Sequence, residues 1–265
     1  MTVLKAILLG ILQGATEFLP VSSSGHLFLM QKILGLTGPE LAFDVLLHLG
    51  TLSAILIFLR REILETLTSL FRRDPEYRLG AWGRRDLLLL VVASIPTGII
   101  GYFLHDAVET GVSFRGVGIS YLLLTVILLA SNLRFRHKPD PDRIDYWEAL
   151  AIGVMQGAAI FPGISRSGAT ISLALVLGIG AMRSAKFSFF ISIPAILGAA
   201  VLLLHRGTAV LPRFAPSALG FLLAFVVGYI ALLFVERIVT RGKFLRFAPY
   251  TFLLAVLAFY MQGCQ

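Results

Sequence analysis

Charge is scarce in this chain. Only 14% of its 265 residues are Asp, Glu, Lys or Arg, where a water-soluble protein carries about a quarter, and that shortage excludes an ordinary soluble domain. Cysteine is rarer still. The single Cys264 rules out an internal disulfide and any cysteine-built metal cluster. Acidic residues are outnumbered, giving a net charge of +8. In a soluble protein that excess would point to nucleic acid. Here it reads as loop arginines that set membrane topology, and no nucleic-acid partner is expected.

What fills the chain instead is hydrocarbon: 57% apolar residues and a mean hydropathy of +0.86. Six runs read as spans of a ~30 Å bilayer core: Leu41–Leu59, Leu87–Leu104, Val117–Leu133, Phe187–Leu204, Ala218–Val235 and Phe247–Gln262. The N-terminal stretch carries Lys5 but is interrupted by Gln13 and Glu17, and it is expected to stay in the mature protein rather than be removed as a signal.

A sixteen-residue segment occurs twice without a gap. Gly10–Gly25 reads GILQGATEFLPVSSSG, and Gly153–Gly168, 143 positions on, reads GVMQGAAIFPGISRSG; eight positions are identical. The copies differ in their charges, since Glu17 aligns with Ile160 and Ser23 with Arg166. Each copy lies in a segment too short to span. Leu4–Phe18 and Tyr146–Phe161 are broken by Pro and Gly and followed by short apolar pieces, His26–Leu34 and Ala169–Ile179. Two short legs around a Pro/Gly/Ser tip predict a re-entrant hairpin, which a membrane tolerates where protein or water covers its backbone.

The predicted fold is therefore an all-α polytopic membrane protein forming one domain over residues 1–265. It is an inverted-topology repeat, each half (1–133 and 146–262) a re-entrant helical hairpin plus three transmembrane helices. Three spans per half is an odd number, so the halves would lie in opposite orientations. Cations agree with this. With the loop after the first span in the cytoplasm, seventeen fall on that side: Arg60, Arg61, Arg72, Arg73, Arg78, Arg84, Arg85, Arg134, Arg136, Lys138, Arg143, Arg183, Lys186, Arg237, Arg241, Lys243 and Arg246. Five fall opposite: Lys5, Lys32, Arg115, Arg206 and Arg213. The positive-inside bias puts both termini outside the cytoplasm. The remaining cation, Arg166, sits at a hairpin tip. Inverted halves bring such tips together inside the bilayer, so Glu17 and Arg166 are expected to be neighbours.

Ionisable groups at membrane depth are costly and mark functional sites; the candidates are Glu17, His26, Asp44, His48 and Arg166. Gln13 and Glu17, four apart, share a helix face and offer an oxygen half-site for Mg²⁺ or Ca²⁺; a polar face bonded to a neighbouring helix is the alternative. Ser22, Ser23 and Ser24 can cap the second leg and leave amide hydrogens for an anion, with capping alone as the plainer reading for Ser22 and Ser24. His26 beside them suits proton transfer. Ser165, Ser167 and Thr170 form the matching nest around Arg166, whose guanidinium grips phosphate bidentately. Together these groups describe phosphoryl transfer. The string is not a hydrolase elbow, because Ser167 stands where glycine is needed. Asp44 and His48, four apart on the first span, are either a buried structural couple or supporting members of the site.

The segments QGATEFLPVSSSGHL and PGISRSGAT, with FDVLLHLGT at Phe43–Thr51, resemble the signature motifs of the bacterial undecaprenyl-diphosphate phosphatase family, the bacitracin-resistance proteins, and the similarity runs end to end. The resemblance implies divalent-metal-dependent loss of the terminal phosphate of undecaprenyl diphosphate, which recycles the lipid carrier of peptidoglycan synthesis in the bacterial cytoplasmic membrane. It implies Glu17 as metal or acid–base residue, His26 as catalytic histidine, Arg166 as phosphate binder and Ser23 as nucleophile, with Ser165 and Thr170 in phosphate contact. Serine, histidine and water all stay open as the attacking group. The family's first motif is written with Glu or Gln in its leading position; this chain has Gln13, which leaves Glu17 the lone carboxylate of the pair. The polyprenyl lipid and membrane lipids are the expected partners, a homodimer stays open, and the site is expected to open outside. A polyprenyl-phosphate flippase or other transporter on the same repeat is the alternative. The type-2 phosphatidate phosphatase pattern fails, because Ser172 stands where its histidine belongs. A reporter fused after Gln265 is expected to be active on the extracytoplasmic side; activity in the cytoplasm overturns the topology.

Overall fold

A computed structural model describes residues 1–36, 40–71, 82–133, 140–206 and 213–264. Arg72, Arg73, Arg78, Arg134, Arg136 and Lys138, which entered the charge argument, and Gln265 lie outside the described residues. Among those described the chain is helical throughout: α1 Val3–Glu17, α2 Ser23–Ile33, α3 Leu41–Phe58, α4 Arg60–Ser69, α5 Arg84–Gly111, α6 Phe114–Ala130, α7 Tyr146–Ala158, α8 Arg166–Val176, α9 Ala181–His205, α10 Phe214–Thr240, and α11 Ala248–Gly263 after a 3₁₀ turn at Phe244–Phe247. Five segments are long and apolar enough to cross a membrane: Leu41–Phe58, Arg84–Val108, Ala181–His205, Phe214–Thr240 and Phe244–Gly263. The shorter α6 is apolar over 17 residues. The protein is a multi-pass membrane protein.

Helices α5, α9 and α10 run past the predicted spans at both ends, and α6 begins before its own. Hydropathy sees only the part that meets lipid, whereas local caps set the ends. The α5 helix starts at Arg84 because Asp86 Oδ2 accepts from Gly83 N at 2.9 Å, and α6 starts at Phe114 because Ser113 Oγ accepts from Gly116 N; both satisfy donors that a helix start leaves unpaired. The outward faces are apolar. Leu88, Val91, Ile95, Ile99 and Tyr102 stand exposed on α5 at three- and four-residue spacing, the inverse of a water-soluble helix. Helix α4, which was read only as part of a loop, turns off directly from α3 at Leu59. Its Glu62 accepts from Lys186 Nζ on α9 at 2.5 Å.

Packing is exchanged between the halves. The first leg of one hairpin, α1, lies along α10, and the first leg of the other, α7, lies along α5; α3 meets α9, and α6 meets α11. Lipid is as apolar as leucine, so helices associate through close backbone approach rather than through a hydrophobic drive. The duplicated glycines supply that approach. A Cβ on Gly10 would stand 2.6 Å from Gly220 O, and one on Gly153 would collide with Ala93 O. One turn on, Gly14 meets the α10 backbone in the same way, whereas Gly157 makes room for the Ile100 side chain of α5.

Arg183, counted among the solvated loop cations, is instead buried in the first turn of α9. It pairs with Asp86 and lies 3.9 Å over the ring of Trp82, which stacks on Phe190 at 4.4 Å. Asp86 is buried as well. Asp86 and Arg183 thus join the five expected buried ionisable groups; a charge beside the Arg84–Arg85 cluster gives no sign in sequence that it will turn inward to a partner 97 positions away.

Gly153→Ala is expected to lower stability in detergent by about 1–3 kcal/mol through overpacking. Gly98→Ala, at a helical position with open space around it, is expected to be neutral or to add up to ~1 kcal/mol. Thermal unfolding of the two variants checks the contrast.

Candidate active site

Both hairpin legs end where the duplicated sequence turns. Glu17 is the last residue of α1 and Ser23 the first of α2; Arg166 is the first of α8. Ser22 and Ser165, equivalent in the two copies, are the N-caps, accepting from Gly25 N at 3.3 Å and Gly168 N at 3.0 Å. Each side chain so satisfies one orphan amide of its short helix.

The two tips meet and lock. Ser22 Oγ also accepts from Gly163 N of the opposite tip at 3.1 Å. Ser165 Oγ and Ser167 Oγ donate to Leu19 O, each at 3.2 Å. Gly163 has φ +103°, and Ser22 has φ +63°, a left-handed conformation that costs a non-glycine residue about 1–3 kcal/mol and gathers at functional sites. Serine hydroxyls read as phosphate contacts are therefore occupied in joining the tips: Ser22, Ser165 and Ser167 directly, and Ser24 through its 3.3 Å contact with Ser22 Oγ. Thr170 lies elsewhere. Its hydroxyl bonds Arg166 O at 2.8 Å and Ser188 Oγ of α9 at 2.6 Å, fastening α8 to α9.

Tip contact brings the divided charges together. Arg166 Nη2 pairs directly with Glu17 Oε1, and Arg166 Nη1 donates to Ser192 O on α9 at 3.4 Å. The other carboxylate oxygen, Oε2, accepts from Ser23 Oγ at 2.5 Å and from Gln13 Nε2 at 2.9 Å. His48 Nε2 stands 3.5 Å from the same oxygen. The Glu17 side chain is only 3% exposed and that of Arg166 20%, so the carboxylate is buried while the guanidinium side chain is partly exposed.

His48 thus turns toward Glu17. Its Nδ1 donates to the backbone oxygen of Asp44 at 2.7 Å, whereas the Asp44 carboxylate accepts from Gln31 Nε2 at 2.7 Å. The side-chain couple suggested by the Asp44/His48 spacing is not formed. His26 faces two tyrosines that the sequence reading passed over. Tyr250 Oη is 2.7 Å from Nε2 and Tyr121 Oη 3.1 Å from Nδ1. Tyrosines set among apolar span residues, where a phenol needs a polar partner, are the signal that could have found them.

A hydroxyl against a carboxylate at hydrogen-bond distance is the geometry of a nucleophile and its base, and a guanidinium beside them is a charge clamp for phosphate. The same atoms suit a hard cation. Gln13 Oε1 is buried and lacks a hydrogen-bond partner, which a native protein rarely leaves so, and it lies on the amide whose Nε2 touches Glu17. Among the described residues no three His, Cys, Asp or Glu side chains gather as a complete metal site. A cation here would need this amide oxygen and oxygens from a phosphate, as Mg²⁺ sites commonly do.

Residues 6–257 match the family described as Bacitracin resistance protein BacA. A curated protein of Carboxydothermus hydrogenoformans named undecaprenyl-diphosphatase is 41% identical over 265 aligned residues, which cover 98% of this chain and 97% of the relative. Relatives of the same name from Desulfosudis oleivorans and Rubrobacter xylanophilus are 43% and 41% identical; they cover 95% and 96% of this chain and the same shares of their own lengths.

Proposed function

Since the chain belongs to the bacitracin-resistance family BacA, we propose that it hydrolyses undecaprenyl diphosphate to undecaprenyl phosphate and inorganic phosphate. The observation that carries this reading is the convergence of Glu17, Ser23 and Arg166 at the joined tips. The chain is a membrane hydrolase, and its substrate is the polyprenyl diphosphate lipid.

Binding starts with exchange of partners. Arg166, the more exposed member of the ion pair, releases Glu17 and takes the terminal phosphate, whose negative charge replaces that of the carboxylate. Glu17, freed of the guanidinium, becomes the stronger base. It accepts the proton of Ser23 as the Oγ attacks the terminal phosphorus. The bond between that phosphorus and the bridging oxygen breaks, and undecaprenyl phosphate departs with its electron pair. Water, losing a proton to a base, then splits the phosphoserine to release inorganic phosphate, and Glu17 returns its own proton to Ser23 Oγ. His26, one turn along α2 from Ser23, is the group that receives the water's proton, at Nε2, the ring nitrogen that carries none. His48 sets the carboxylate from the α3 side.

Glu17, the Gln13 amide oxygen and His48 would hold a divalent cation, Mg²⁺ or Ca²⁺. Bound there, it would draw charge from the phosphate oxygens.

The repeat supports an inverted arrangement of the halves. Equivalent legs pack on the opposite half, and the tips touch, which agrees with each entering from its own face. With the cation distribution this supports a reading in which the protein lies in the bacterial cytoplasmic membrane with both termini outside and the site opening outward. The lipid tail then lies among acyl chains while the diphosphate occupies the polar recess.

The test is phosphate release from undecaprenyl diphosphate by protein purified in detergent, where transport cannot be scored. Arg166→Ala is expected to lower kcat/KM by on the order of 10²–10³ through loss of one charge-stabilising group; near-normal turnover refutes its phosphate role. Because Arg166→Ala leaves Glu17 buried without its guanidinium, the variant's melting temperature is measured alongside. Glu17→Gln is expected to weaken or abolish the response to added Mg²⁺ or Ca²⁺ and to chelator, and an unaltered metal titration argues against ligation.

A further inference from the structure

His26 is surrounded more closely than its part in the reaction requires. Its Nδ1 lies 2.7 Å from Ser22 O. A carbonyl oxygen only accepts, so Nδ1 carries the proton. In the neutral ring Nε2 is then the acceptor, and the group it faces is the hydroxyl of Tyr250, at 2.7 Å. The two rings stack at 5.7 Å with 18° between their planes. Tyr121 closes the remaining side edge-on at 6.1 Å, and its hydroxyl also lies 3.5 Å from Ser22 O. The duplicated tip has Ala169 in place of His26. The arrangement is therefore particular to the first tip, where Ser22 alone adopts the strained left-handed backbone that presents its carbonyl.

The two tyrosines differ in setting. Tyr121 is fully buried in the core, whereas Tyr250 is 44% exposed on the outer face of α11. A half-exposed phenol contributes little to packing through its hydroxyl, yet that hydroxyl holds the one ring nitrogen able to receive a proton. We propose that Tyr250 is a positioning residue for the phosphatase reaction: its O–H donates to His26 Nε2, orients the imidazole, and hands the ring to the substrate in a single tautomer. This rests on the role given to His26 above. It adds a residue from α11, 224 positions away in sequence, to the site at the two tips.

The experiment compares Tyr250→Phe, which keeps the stacked ring and removes only the hydroxyl, with Tyr260→Phe, an exposed control on the same helix. Both are assayed for phosphate release in wild-type and His26→Gln backgrounds. Tyr250→Phe is expected to lose about tenfold in kcat, equivalent to one ~1.4 kcal/mol interaction in the transition state. KM and melting temperature are expected to hold, and Tyr260→Phe to behave as wild type. In the His26→Gln background Tyr250→Phe is expected to cause no further loss, the mark of two residues acting through one function. The ¹⁵N resonance of His26 Nε2, which needs no turnover, is expected to move in Tyr250→Phe toward that of an unbonded imidazole nitrogen. Full kcat in Tyr250→Phe beside a crippled His26→Gln overturns the proposal, as does an equal loss in both backgrounds or an unmoved resonance. Wild-type turnover in His26→Gln identifies the failure as that of the His26 role itself, and the proposal falls with it.

Discussion

The ion pair between Glu17 and Arg166 is the interaction on which the rest of the molecule depends. Either charge alone at this depth would cost several kcal/mol. Breaking a buried pair by removing one partner costs about 3–5 kcal/mol, because the survivor stays uncompensated. The carboxylate arrives on the end of one hairpin leg and the guanidinium at the start of another, so neither can be satisfied within its own half. Folding must bring the tips together, and in the proposed reaction it is the ion pair that parts. A phosphate group can replace the carboxylate at Arg166 because it offers the same oxygens with more charge.

The duplicated segment shows how one scaffold came to hold a single asymmetric site. Positions that kept their residue kept their task. Gly10 and Gly153 each let a leg lie against the backbone of a long helix, and Ser22 and Ser165 each cap the returning leg. Positions that diverged are those to which the proposed chemistry falls: Glu17 against Ile160, Ser23 against Arg166, His26 against Ala169. Gln13 and Gln156 mark the boundary between these groups. The same amide serves the carboxylate in one half and bridges Thr97 Oγ1 of α5 and Ile191 O of α9 in the other.

Much of the fold was legible because bilayer physics writes it into composition. Apolar runs of the required length, a repeated tip broken by Pro and Gly, and lopsided cations are local signals, and each helix they announced is present. Helix α4 was missed because its polar residues carry no spanning signal. The pairing of Asp86 with Arg183 was missed because solvated loop arginines and a buried one read alike until a partner is placed. Among the serines, spacing correctly marked a helix start, yet it could not distinguish hydroxyls that face a ligand from those that bind the other tip.

Taken alone, the sequence determined the membrane class, the repeat, the separation of acid from base between its copies, and the residue types that make phosphoryl transfer possible. Those follow from hydropathy and from the identity of side chains, which need no partner to be read. Tertiary structure decided which groups touch: that Ser23 reaches Glu17, that His48 turns from the Asp44 carboxylate to join them, and that His26 rests between Tyr121 and Tyr250. Hydrogen bonds act over about 3 Å, and only the packing of helices remote in sequence sets distances that short.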